Sequence, residues 1–554
     1  MAAGPRPLRT GSVPLADRLP SPARVHHRHR ARRSTLRLAA LGAALVCTAS
    51  ATASATPGTL GAATASQTPR SSGPGGPPTT ATTAVPAQPD PLTVGLDGVV
   101  QLSAPDTCLA VAIDGQVVYR HAADHPMVPA STLKLFTATA ALARLGDDHR
   151  FRTVVTGGVP ASGVVAGDLT LVGGGDPLLV TNAYRQARHL PADQPLTSLD
   201  HLADLVKAAG VTRVTGRIVG DERRYDTLRS VPTWPDRYLR EQQIGPMSAL
   251  SVDDGFVLQA PADPGGPVRR LPSADPALDA ARTFTALLRA RGITVQGEPA
   301  VGTAPAGGPE LTAVESAPLS AIVTDMLHHS DNGTAELLTK ELGHTTGQPG
   351  TTAVGTLVTA GRLAELGVPL KGVEFTDGSG LDPGNHVTCD ALVAVLDRSG
   401  GIDSPVGAGL PVAGESGTLQ RRFVGTAAAG RLRAKTGSLN QVTSLAGFVA
   451  LDGGGTATFA YVSNGPKTAE VYRGQDLLGD LLGQYVRPCA AAVDAAVVAP
   501  VGAYLLAPAV LAAAPLGAAL VPAVAVPLAA FERYGSDLVQ PCVASSPGFE
   551  LVLG

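Results

Sequence analysis

Residues 129–147 read PASTLKLFTATAALARLGD, and the fold turns on what this stretch requires around it. Leu, Ala and Lys favour a helix, Gly146 stops it and Pro129-Ala130 lead in, so the pattern predicts a helix with Ser131 at its start. Positions three apart on a helix face the same side, which sets the Lys134 amine beside the Ser131 hydroxyl. A serine hydroxyl is a poor nucleophile until a neighbour takes its proton, and lysine can do that only with a depressed pKa. A helix N-terminus also points free N–H groups at an incoming carbonyl oxygen. The chain has only six lysines (134, 207, 340, 371, 435 and 467), so a lysine inside a motif is informative. By itself, the S-x-x-K spacing fits an ordinary helix start equally well.

Two more motifs share this chemistry. Ser330-Asp331-Asn332 sits where a loop should enter a helix beginning near Asn332 and running through Glu341. A hydroxyl and a carboxamide two apart can relay a proton and hold a substrate amide, although each residue would also serve as a plain N-cap. Lys435-Thr436-Gly437-Ser438 lies inside a β stretch, where Gly admits a ligand close to the backbone and Lys with two hydroxyls offers donors to an anion. The bland reading of that run is a surface turn. For a chain of this composition the three motifs should coincide by chance about 0.005 times, before order and spacing are required.

Around the motifs the pattern alternates. Cys108–Tyr119 is a pair of β-rich runs about Asp114-Gly115, a two-residue hairpin signal. Short strands are expected in 151–172 and 211–221, with the loop GGGDP at 173–177 and Asp176 as its turn residue. A helix is expected over Pro276–Arg291, with Ala277, Ala281, Phe284 and Leu288 on one face. A Gly-rich loop at 377–384, a helix around 388–398 and antiparallel strands at 431–463 with a turn at Asp452-Gly453 complete the pass. Strands and helices segregated in this way indicate an α+β fold with an antiparallel sheet.

The 554 residues allow two to four domains, and 44% hydrophobic content allows a large core. Basic residues number 43 and acidic 46, yet residues 1–37 hold nine Arg against the single Asp17. The remainder is acidic, which argues against nucleic acid as a partner. After Arg37 comes LAALGAALVCTASATASA, with exits such as Ala53-Ser54-Ala55: the parts of a secretory signal, or of an uncleaved membrane anchor. Either way the body is exported. Residues 56–92 are Thr, Ala, Pro, Gly and Ser with almost no large apolar side chain, a disordered linker. Of five cysteines (47, 108, 389, 489 and 542), four remain once the signal is lost, and three disulfide pairings stay open. Residues 495–531 carry no charge but hold prolines at 500, 508, 515, 522 and 527. That segment is either a Pro-broken extension lying on the surface or a re-entrant membrane contact, a second anchor beside the N-terminal one.

S-x-x-K, S-D-N and K-T-G together are the signature of penicillin-binding proteins and class A β-lactamases. With GDLTLVGGGDPLL (167–179), DGSGLDPGNHVT (377–388) and GTLQRRFVGTAAAGRLRAKTGSLNQVTSLAGFV (417–449), the chain resembles the D-alanyl-D-alanine carboxypeptidase/endopeptidase family, the low-molecular-mass class C penicillin-binding proteins. The resemblance covers roughly 95–487 and implies a serine β-lactamase/transpeptidase-like catalytic domain, an antiparallel sheet with helices, carrying an inserted domain. The implied order is signal or anchor 1–55, linker 56–92, catalytic segment 93–150, inserted domain 151–312, catalytic segment 313–487 and an apolar Ala/Pro-rich tail 488–554. Between Asp254 and Pro276 only a short Pro/Gly-rich loop is expected, where some relatives carry additional strands.

By resemblance, Ser131 is the acylated nucleophile and Lys134 its general base, kept neutral by the like charge of Lys435. Ser330 would relay the proton to the departing D-Ala nitrogen, and Asn332 would hold the peptide. Backbone N–H groups of Ser131 and Ser438 would form the oxyanion hole beside Gly437, and Thr436 and Ser438 would bind the terminal carboxylate. The implied activity is a serine-type D-Ala-D-Ala carboxypeptidase or endopeptidase acting on peptidoglycan stem peptides, inhibited by β-lactams and needing no cofactor. The alternatives are a β-lactamase, which needs a water-activating base, and a non-catalytic envelope protein that binds penicillin or peptidoglycan. Trp234 in PTWPDRY reads as core, or with Asp236 as a face holding a cationic stem-peptide side chain. His328-His329 lack an evident third metal ligand.

Overall fold

The computed structural model describes residues 90–260, 266 and 268–486. The signal or anchor, most of the linker, Cys47, Cys489, Cys542 and the tail from 488 lie outside the described residues.

Asp90 opens the first helix, α1 (Pro91–Gln101), by accepting from the Thr93 N–H, with Pro91 at the first helical position. The linker therefore ends two residues earlier than its composition indicates. Strand β1 (Asp106–Ile113) turns through Asp114 and Gly115, both at positive φ (48° and 78°), into β2 (Gln116–His121). Two successive positive φ values are what a type I′ hairpin requires. Ala130–Leu133 form a 3-10 turn with Ala130 at φ 50°, and the α-helix proper, α2 (Lys134–Leu145), begins only at Lys134. Ser131 thus sits on a tighter turn than expected.

From Phe151 the chain builds a second sheet. Its five strands run in the order Ala300–Val301, Ile218–Asp221, Leu169–Val172, Arg152–Gly157, Glu310–Glu315, packed against the helix Pro276–Ala290. Ala277, Ala281, Phe284 and Leu288 of that helix are all buried, with Val155, Leu171 and Ile218 from the strands. The short strands expected in 211–221 are Arg213–Val214 and Ile218–Asp221, and they lie in different sheets. The expected boundary at 312/313 falls inside a strand: Glu310–Glu315 pairs along Arg152–Thr156 to its last residue, Glu315 opposite Arg152. Phe256–Gln259 and Arg269–Pro272 pair as a β-hairpin where only a loop was expected. The run of prolines and glycines at 261–267 hid the β pairing on either side of it.

The chain returns through α3 (Leu319–His329), α4 (Asn332–His344) and α5 (Cys389–Arg398) to three long strands, β3 (Leu432–Leu439), β4 (Val442–Ala450) and β5 (Thr456–Asn464). These join the first hairpin in a sheet ordered β3-β4-β5-β1-β2, antiparallel throughout. Both faces of the inner strands are buried, successive residues pointing into opposite cores. Cys108, Ala110 and Ala112 of β1 point into the core under α2 to α5, and Leu109, Val111 and Ile113 point into the core under α1 and the last helix, α6 (Ala469–Gln484). Of the three open pairings of cysteine, the structure contains Cys108–Cys389, which ties β1 to the start of α5 across 281 residues.

Candidate active site

The 129–132 turn is pressed onto the edge of the sheet. Ser444 Oγ on β4 donates to the Pro129 carbonyl (2.7 Å), and Thr132 Oγ1 donates to the same oxygen (2.8 Å). Gly437 on the edge strand β3 lies opposite Ser444, where a Cβ would fall 2.1 Å from Ser444 Oγ and 2.7 Å from Pro129 O. Only glycine lets the two backbones approach this closely, which is why the β stretch carries K-T-G.

Ser131 is half-buried, and Lys134 is completely buried behind it. Lys134 Nζ lies 3.0 Å from Ser131 Oγ, and it donates to Asn332 Oδ1 (2.7 Å) and to the Ser379 carbonyl (2.7 Å). Burial pulls the Lys134 pKa down to about 8, while the carboxylates of Asp331, Asp377 and Glu336 oppose the shift. The expectation that Lys435 keeps Lys134 neutral is corrected here. Loss of solvation is the leading cause, and the like-charge effect appears on Lys435 instead, whose pKa burial and then Lys134 push far below the ordinary lysine value.

The second motif is a joint between two helices. Ser330 ends α3 in the left-handed region (φ 58°), and Asp331 caps α4 by accepting from the Thr334 N–H (2.5 Å). A non-glycine residue held there is strained, a feature common at functional sites. The joint aims Ser330 Oγ at Lys435 Nζ (2.8 Å), which also donates to the Thr436 carbonyl (2.9 Å). Asn332 reaches Lys134 with its oxygen and donates from Nδ2 to the Gln243 carbonyl (2.8 Å). Thr436 Oγ1 donates to Thr418 Oγ1 (2.8 Å), and the exposed Ser438 accepts from Lys467 Nζ (2.9 Å). Six motif residues therefore form two hydrogen-bonded groups, Ser131–Lys134–Asn332 and Ser330–Lys435–Thr436, with Gly437 packed against the Ser131 turn and Ser438 bonded to Lys467.

The remaining candidates fall elsewhere. Trp234 is buried, T-stacked on Tyr238, and donates from Nε1 to Asp377 Oδ2 (2.9 Å), so it serves the core. Asp236 is exposed at the start of the short helix Arg237–Arg240 and has no hydrogen-bond or ion-pair partner among the described residues. Asp176 is a buried turn residue, its Oδ1 accepting from the Leu178 N–H (2.9 Å). His329 is 3.0 Å from Asp325.

Glu336, Asp377, Ser379, Gln243, Thr418 and Lys467 have no role assigned from the sequence, although Asp377, Ser379 and Thr418 lie in stretches that carry the resemblance. Glu336 did leave a faint signal, a carboxylate one helical turn after Asn332 on the same face of the helix.

The D-Ala-D-Ala carboxypeptidase 3 (S13) family model matches residues 106–270 and 261–483. The D-alanyl-D-alanine carboxypeptidase of Actinomadura sp. (strain R39) is 31% identical over 444 residues, covering 67% of this chain and 79% of that protein. Carboxypeptidase DacB of Mycolicibacterium smegmatis is 33% identical over 421 residues, covering 69% and 86%. The crystal structure of penicillin binding protein 4 (dacB) from Haemophilus influenzae superposes with a TM-score of 0.60 at 22% identity, covering 70% of this chain and 99% of that one, a likeness of fold.

Proposed function

The chain belongs to the D-Ala-D-Ala carboxypeptidase 3 (S13) family, and from that premise we propose that it releases D-Ala from peptidoglycan stem peptides through an acyl-enzyme on Ser131. The observation that carries the reading is the 3.0 Å contact between Ser131 Oγ and a completely buried Lys134 amine. A lysine stripped of water is a base near neutral pH, and this one touches the hydroxyl that must lose a proton.

In the proposed reaction, neutral Lys134 takes the Ser131 proton as Oγ bonds to the carbonyl carbon of the penultimate D-Ala. Backbone N–H groups of Ser131 and Ser438 would face the developing oxyanion. Ser330, hydrogen-bonded to Lys435 Nζ, would pass a proton to the terminal D-Ala nitrogen as its C–N bond breaks. Water then attacks the ester, and Ser131 recovers its proton. Thr436 and Ser438 would hold the substrate carboxylate, and that negative charge would draw a proton onto Lys435. Asn332 would exchange its Gln243 contact for the stem peptide. A β-lactam would acylate the same serine with a leaving nitrogen that stays tethered. Cleavage of cross-links by the same steps is included in the proposal.

The proposal extends to the chain's place in the cell and to its layout. The basic and apolar N-terminal segment supports export to the envelope, the stretch from residue 151 through the strand Glu310–Glu315 is read as an inserted domain, and the 495–531 tail is read as a second membrane contact. Deleting 490–554 should move processed protein from the membrane to the soluble fraction, and unchanged partitioning removes the tail from the account. For the reaction, a synthetic peptide ending in D-Ala-D-Ala should lose one D-Ala with wild type and none with Ser131→Ala; equal release by both would end the assignment.

A further inference from the structure

Glu336 lies one turn beyond Asn332 on α4 and is completely buried. Its Oε1 accepts two consecutive backbone N–H groups, those of Gly378 (3.0 Å) and Ser379 (2.8 Å). The Ser379 carbonyl in turn accepts from Lys134 Nζ (2.7 Å), and the Gly378 carbonyl accepts from Thr137 Oγ1 on α2 (2.7 Å). The turn is close-packed from the other side. A Cβ on Gly378 would fall 1.8 Å from Thr339 Oγ1, and Asp377 accepts from Gly380 N, Asp382 N, Asn385 Nδ2 and Trp234 Nε1. Glu336 Oε2 has no hydrogen-bond partner among the described residues.

Burying a carboxyl group is expensive, and a neutral amide could accept the same two N–H groups at less cost. What the carboxyl adds is a titratable group linked to the Lys134 amine through two hydrogen bonds, one on each side of the Ser379 backbone. We propose that Glu336 is a positioning residue for acylation: it holds the 378–379 backbone so that the Ser379 carbonyl stays on Lys134, and it sets its own carboxyl beside that amine. The inference rests on Lys134 acting as the base in the proposed reaction.

The groups facing Lys134 are Ser131 from its own turn, Asp331, Asn332 and Glu336 from α4 and its cap, Asp377 and the Ser379 carbonyl from the 377–382 loop, and Lys435 from β3. Glu336 faces the two loop amides, Asp377 and Lys134. Burial, then the Asp377 charge, holds the Glu336 carboxyl above the usual carboxylate range, and where it is ionised its charge raises the Lys134 pKa. Removing the carboxyl charge therefore lets the neutral amine persist to lower pH.

The test measures the rate of covalent labelling by a fluorescent penicillin against pH, with binding and acylation constants separated. Glu336→Gln keeps the Oε1 acceptor and loses the charge. Its acidic limb should move about half a pH unit lower, with the binding constant unchanged. Glu336→Leu loses the acceptor too, and its acylation constant should fall about tenfold, again without change in binding. If Glu336→Leu does not fold, Glu336→Gln decides alone. A Glu336→Gln profile superimposed on the wild type's overturns the proposal, as does a folded Glu336→Leu that acylates at the wild-type rate. Wild type that takes no label would instead overturn the proposed reaction itself.

Discussion

The site holds two serine–lysine pairs that look alike and are surrounded differently. Ser131–Lys134 is local, three residues apart on one turn, and its amine is met by Asn332, the Ser379 carbonyl and the charges of Asp331, Asp377 and Glu336. Ser330–Lys435 spans 105 residues and joins a helix joint to an edge strand. Both lysines are completely buried, so loss of water depresses both, but only Lys134 has carboxylates that partly restore its proton affinity. One amine is poised to exchange a proton near neutral pH. The other is an anchor whose charge awaits an anionic ligand.

The largest effect that would sharpen this contrast is Lys134→Met, which keeps the bulk and removes the base. Acylation by penicillin should fall about a thousandfold while the binding constant stays within about threefold. Lys435→Met should cost about a hundredfold in kcat/KM on D-Ala-D-Ala peptides, shared between kcat through Ser330 and KM through the carboxylate. If Lys435→Met were the more damaging to acylation, the two roles would be exchanged. Gly437→Ala breaks the seam between the pairs. Its Cβ meets Ser444 Oγ and Pro129 O, so about 1–3 kcal/mol of stability should be lost, read as a lowered Tm, together with labelling efficiency.

Titration separates the pairs without mutation. The base is the neutral amine, whose share grows as pH rises through its pKa of about 8. Acylation should therefore rise about tenfold per pH unit below 8 and level off above it. A profile flat from pH 6 to 9 would remove Lys134 as the titrating base. The smallest expected effect concerns Asp236, exposed and outside the two pairs: Asp236→Asn should leave KM within about twofold for peptides with cationic and neutral side chains alike.

Legibility followed the same division. The Ser131 pair could be read because its geometry is local, and the Ser330 and Lys435 motifs because short spacings of rare residues mark them. The hairpin at Asp114-Gly115 and the helix at Pro276 were readable for similar reasons. What escaped depends on contacts distant in sequence. Glu336 meets the loop 42 and 43 residues on, and Trp234 meets Asp377 143 residues on, so neither leaves a pattern along the chain. Two-residue strands such as Arg213–Val214 have too few residues to show a period, and their pairing is decided by the sheet that receives them.

The claim that Ser131 carries the acyl group is tested most directly by mass spectrometry of penicillin-treated protein. Wild type should gain the mass of one penicillin, confined to the peptide containing Ser131, and Ser131→Ala should gain none. An adduct on any other residue, or an equal gain in Ser131→Ala, would contradict the account.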